Sequence, residues 1–147
     1  MTSLRISGPF LEMEWKPSEP DRDAAWALYI ELLTRIATQP LPEESGDEAA
    51  ALESIYSLFP TTRAILREYG RGCIEFTKIA IVVLNQIVRP FTTQWHRNSR
   101  EGRLSDAEVA AAFRDELGDL QARLTTYAQM LAEMAGVENL TGLEKDD

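Results

Sequence analysis

The chain has 147 residues, with 24 acidic side chains against 15 basic ones, a formal net charge of -9, and 44% hydrophobic residues. A length of about 150 is that of one domain, which buries roughly 68–70% of its unfolded surface, so neither a disulfide nor a metal is needed to close a core. One Cys excludes an intramolecular disulfide, and one Cys with one His excludes the commoner zinc sites and leaves a Cys/His pair as the available thiol chemistry.

Residues 1–10 have neither a cationic start before an apolar run nor an Arg-rich amphipathic stretch. No export or organelle signal is read, and a cytoplasmic location is expected. Leu4 and Ile6, then Leu11, Met13 and Trp15, alternate with polar residues around Gly8-Pro9, which predicts a small hairpin over 1–17. Such a hairpin is marginal alone, so its apolar face should pack on the helical body.

Ser18-Glu19-Pro20-Asp21 supplies a cap, an early Pro and acidic groups for a helix over 18–39, with Trp26, Tyr29, Ile30, Leu33 and Ile36 at intervals of three and four. A second helix is expected over 47–70, broken at Phe59-Pro60 because Pro lacks a backbone donor and restricts the residue before it. The third, 73–98, is apolar on nearly every face from Ile79 to Leu84 and reads as the central buried helix. Glu75, Lys78, Asn85 and Arg89 keep that run far short of the about 20 apolar residues a membrane span needs. The last, 105–135, starts at a Ser105 to Glu108 capping box and repeats Phe113, Leu117, Leu120, Leu124, Tyr127, Leu131 and Met134 at alternating steps of four and three. This heptad seam fits either an intrachain bundle or a contact with a second copy or partner, and 136–147 reads as an acidic tail. The fold expected is a mostly α single domain, a bundle of four to five helices with a small N-terminal β-hairpin.

Charge is unevenly placed: residues 1–70 carry 6 basic and 12 acidic groups, 71–104 carry 6 and 2, and 105–147 carry 3 and 10. A basic centre at Arg89, Arg97, Arg100 and Arg103 thus lies between two acidic arms, which either fold back on it or leave it open to an acidic partner, a phosphate or a lipid surface. In the same segment Pro90 should kink the helix and free the Gln86 carbonyl, with Asn85 as a buried amide beside it and Phe91 and Trp95 on one face. Nucleic acid is disfavoured as a partner by the acidic arms, which oppose phosphate contacts at about one Debye length. The order of apolar helix, aromatics and basic flank leaves a peripheral membrane contact open.

Catalytic chemistry is not expected. Cys73 and His96 are 23 residues apart, about 35 Å along one helix, which is too far for a dyad. No phosphate-binding Gly-rich loop, Gly-x-Ser-x-Gly elbow or His-Glu-x-x-His is present, and no metal or cofactor is implied.

Leu84-Asn85, Arg89-Pro90-Phe91 and Trp95-His96, preceded by Ser57-Leu58-Phe59, Thr62-Arg63 and Ile65-Leu66-Arg67, resemble segments of uncharacterised bacterial helical proteins, some associated with phage-defence or other conflict gene clusters. The resemblance spans residues 20–100 and carries over no site residue. It implies a bacterial accessory or signalling module. The function expected is therefore a non-enzymatic protein interaction or adaptor module. Its candidate contacts are the heptad residues Phe113, Leu117, Leu120, Leu124, Tyr127 and Leu131 and the basic, aromatic segment of Arg89, Phe91, Trp95, His96, Arg97, Arg100 and Arg103. The alternative is a peripheral membrane or anion-binding module using residues 89–103.

Overall fold

The computed structural model describes residues 4–7, 12–42 and 47–137, with side chains from residue 16 onward. Strands β1 (Leu4–Ser7) and β2 (Glu12–Trp15) pair antiparallel, Leu4 opposite Trp15 and Ser7 opposite Glu12, and β1 lies beside the last helix. How the side chains of Leu11, Met13 and Trp15 pack lies outside the described residues, as do the loop at 43–46 and the acidic tail beyond 137.

Six α-helices follow among the described residues, where the sequence suggests four or five: α1 (Glu19–Leu33), α2 (Glu48–Tyr56), α3 (Leu58–Tyr69), α4 (Ile74–Val82), α5 (Arg89–Arg100) and α6 (Ala107–Ala135). Three boundaries depart from expectation for local reasons. Helix α1 stops at Leu33 because side chains take its last carbonyls: Thr34 Oγ1 donates to Ile30 O at 2.8 Å, Thr38 Oγ1 to Leu32 O at 2.8 Å and Gln39 Nε2 to Leu33 O at 3.1 Å. The break between α2 and α3 falls at Ser57, not at Pro60, which lies inside the first turn of α3, where the missing N–H has no intrahelical partner to lose. Helix α6 is capped by Asp106 rather than Ser105, its Oδ1 accepting from Glu108 N at 2.9 Å and Val109 N at 3.3 Å, while Gly102 makes the preceding turn at φ 73°.

At the start of α1, Ser18 and Asp21 form a reciprocal capping box, Asp21 N donating to Ser18 Oγ at 3.3 Å and Ser18 N to Asp21 Oδ2 at 2.8 Å. Asp21 is buried, and its other oxygen accepts from Phe76 N at 3.0 Å, one of the free donors in the first turn of α4. The Ser18 hydroxyl donates to Gly72 O at 2.7 Å, and a Cβ on Gly72 would meet Pro20 at 3.1 Å. The starts of α1 and α4 are thereby locked together.

The core is one cluster. Ala24, Ala25, Leu28, Tyr29 and Leu32 of α1 face α6, whose expected heptad residues Phe113, Leu117, Leu120, Leu124, Tyr127, Leu131 and Met134 are all buried within this chain. The seam is thus an intramolecular one along the full length of α6, because α1, β1, α2 and α5 between them cover it. Gln121 Nε2 donates to Ile36 O and Gln39 O, both at 2.7 Å, and Arg114 pairs with Glu48 at 2.7 Å and donates to Leu41 O at 3.3 Å, holding the loop after α1 against α6. No helix among the described residues is long and apolar enough to cross a membrane.

A basic groove on the outer face of the α4 and α5 run

Helices α4 and α5 form one continuous helical run joined by a π turn, Val83–Val88, in which Arg89 N donates to Leu84 O, five residues back. An α-helix turns about 100° per residue, so Phe76 and Trp95, 19 residues apart, would sit about 100° out of line in an unbroken helix. The π turn absorbs one residue and restores the alignment. Both rings are buried, and Pro90 enters at the second position of α5, where its missing donor is accommodated by the widened turn.

The same correction aligns an outer stripe. Ile74, Lys78 and Ile81 on α4 are exposed, Ile74 at 54% and Ile81 at 52%, so the run is buried on one face only and not on every face. Asn85, Arg89, Thr93, Arg97 and Arg100 continue the stripe, all exposed, and it passes from apolar to basic along its length. Asn85 is consequently no buried amide. Its Oδ1 accepts from Arg89 Nε at 3.3 Å, and the Arg89 guanidinium lies 4.7 Å from the centroid of Phe59, which Arg63 also approaches at 5.8 Å.

A groove of about 540 Å³ opens along the basic half. Arg89, Arg97 and Arg103 line it together with the carboxamides of Asn85, Gln94 and Asn98, while Pro90 and Thr93 complete its wall. Arg103 pairs with Glu101 at 2.8 Å, and the side chains of Arg97 and Arg100 have no hydrogen bond or ion pair among the described residues. From the C-terminal acidic arm the Glu116 carboxylate reaches Gln94, accepting from its Nε2 at 3.4 Å. The described part of that arm therefore leaves the free arginines unpaired. A smaller groove of about 210 Å³ lies on the other side of Pro90, between α5 and α6, and carries Glu116, Asp119 and Arg123.

The remaining sequence candidates go elsewhere. Phe91 and Trp95 are 7% and 2% exposed and pack on Phe113, with ring centroids 5.5 and 5.2 Å from it, so they close the core and offer no aromatic surface. Their helical face points at α6, which is what apolar residues four apart do when a partner helix is at hand. His96 turns toward α2, with Nε2 3.2 Å from Glu53 Oε1 and its ring edge-on to Tyr56 at 4.9 Å. Cys73 is buried at the opposite end of the helical run, its Sγ donating to Gly70 O at 3.2 Å. Sequence reasoning missed Thr93, Gln94 and Asn98. The i, i+4 spacing of residues 85, 89, 93 and 97, and of 90, 94 and 98 beside them, was the available signal.

Among the described residues no three His, Cys, Asp or Glu side chains are grouped to hold a metal ion. Comparison with protein-family models, with curated proteins and with solved structures finds no match to this chain.

Proposed function

We propose that the protein is a non-enzymatic interaction or adaptor module, a bacterial accessory or signalling component in the cytoplasm, that engages an acidic protein partner through the outer stripe of α4 and α5. The observation that carries this reading is the stripe itself. It combines two half-exposed isoleucines with unpaired arginines in a chain whose net charge is -9. Exposed apolar side chains bordered by charge are the composition of a recognition surface, and the opposite charge supplies orientation and rate. A role in phage defence rests on the resemblance of the Arg89-Pro90-Phe91 and Trp95-His96 segment.

A second copy of the chain is a natural partner. The exposed Asp115 and Asp119 on the outer face of α6 complement the arginines of the stripe, so the C-terminal helix contributes by its polar face, its heptad seam being occupied. Sedimentation velocity at low and high salt, together with a pull-down, tests the reading. Larger species at low salt that revert to monomer at high salt, and in the double variant Ile81→Glu, Arg100→Glu, are expected. A chain that stays monomeric at every concentration and captures no partner contradicts it.

A further inference from the structure

The groove at the basic end of the stripe carries an inference that is independent of the partner reading. Its volume, about 540 Å³, is within the range of sites that hold small molecules, and it is walled by rigid helix on one side and by the turn bearing Arg103 on the other. Three features give it a chemical polarity. Arg97 has all its donors uncommitted among the described residues, and Arg103 keeps its terminal nitrogens beyond the bond from Nε to Glu101, so two guanidinium forks are available to one anion. The amide nitrogen of Asn98 is bonded to Gln94 O at 2.9 Å and that of Gln94 to Glu116 at 3.4 Å, and the two carboxamide oxygens have no partner among the described residues. Those oxygens accept and cannot donate. Finally, Asn85 of the π turn lines one end of the groove. Such turns break the regular helical ladder and are concentrated at functional sites.

An anion alone would engage the arginines and leave the carboxamide oxygens to solvent. A ligand with phosphate at one end and N–H donors at the other answers both. We propose that this groove binds a small phosphorylated molecule of nucleotide size, its phosphates on Arg97 and Arg103 and its N–H donors on the side-chain oxygens of Gln94 and Asn98.

Isothermal titration of the full chain with ADP, with inorganic pyrophosphate and with adenosine separates the two ends. ADP is expected to bind one to one and more tightly than either fragment. Arg97→Gln and Arg103→Gln should each weaken ADP and pyrophosphate by about tenfold or more, the loss of a charge-assisted fork. Asn98→Ala should weaken ADP and leave pyrophosphate unchanged. All three positions are on the surface, and circular dichroism checks that each variant remains folded. The proposal is overturned if ADP gives no saturable binding at millimolar concentration, if the double variant Arg97→Gln, Arg103→Gln binds ADP as the wild type does, or if pyrophosphate binds as tightly as ADP. Because sedimentation reads partner association and titration reads ligand binding, either reading can fail without the other.

Discussion

Asp21 serves two helices at once. One carboxylate oxygen closes the capping box of α1 and the other takes a free donor at the start of α4, 55 residues away, at a position that is 1% exposed. Removing it leaves the Phe76 N–H buried without a partner in addition to losing the cap. Asp21→Ala should therefore cost about 2–3 kcal/mol, read as a lower urea midpoint, with Asp21→Asn intermediate because one acceptor survives. A loss no larger than that of an ordinary surface substitution would contradict the shared role. The sequence shows the first half of this arrangement, since Ser18 and Asp21 have capping spacing. The second half depends on a distant backbone group that no local pattern announces. Tyr127 presents the opposite case, a buried hydroxyl with no hydrogen-bond partner among the described residues. Burial pushes its pKa well above the ordinary value of about 10. Above about pH 10 the unfolded chain releases this proton while the folded chain keeps it, so stability is complete below that pH and falls as pH rises beyond it. Tyr127→Phe removes both the titration and the unpartnered hydroxyl. It should raise stability by about 1 kcal/mol at neutral pH and shift the alkaline unfolding midpoint upward. An unchanged alkaline midpoint would count against burial as the cause.

Among the elements, the π turn decides how α4 and α5 relate. Deleting Gln86, an exposed residue within it, should convert the turn to regular α-helix while keeping Phe76 and Trp95 on one face, so the protein should still fold and melt cooperatively. Deleting Ala122, equally exposed but inside the regular α6, has no such slack. It rotates the seam from Leu124 to Met134 by about 100° away from its partners and should abolish cooperative unfolding, as circular dichroism would show. Equal outcomes for the two deletions would contradict the alignment argument. The helices themselves are legible because their apolar periods are strong, and the seam of α6 most of all. What escapes is how turns are made. Pro60 and Pro90 both signal a disturbance, but whether a proline breaks, starts or widens a helix depends on whether the flanking faces can still reach the core. Ile79 to Leu84 read as apolar all round, yet only one face finds helices to cover it, and Ile81 remains outside. Of the site, the basic cluster was visible as charge. The groove was not, because Gln94 and Asn98 acquire meaning only once the turn after α5 brings Arg103 back beside them and Arg97.

For the molecule as a whole, the net charge of -9 conceals a basic stripe whose free arginines are not paired by the described acidic residues. Association through exposed charge weakens steeply once the Debye length falls, so raising salt from about 0.05 M to about 0.5 M should dissociate complexes formed by this stripe and spare the fold, whose core is apolar. Simultaneous loss of association and of helical signal would show that salt acts on folding instead. The outer face of the run from Ile74 to Arg100 is the proposed meeting place with other molecules. A dilution series followed by amide chemical shifts tests it most directly. Concentration-dependent shifts confined to the α4 and α5 stripe and the outer face of α6 are the predicted result, and shifts confined to α1 and α3, or larger species with no shift on the stripe, would contradict it.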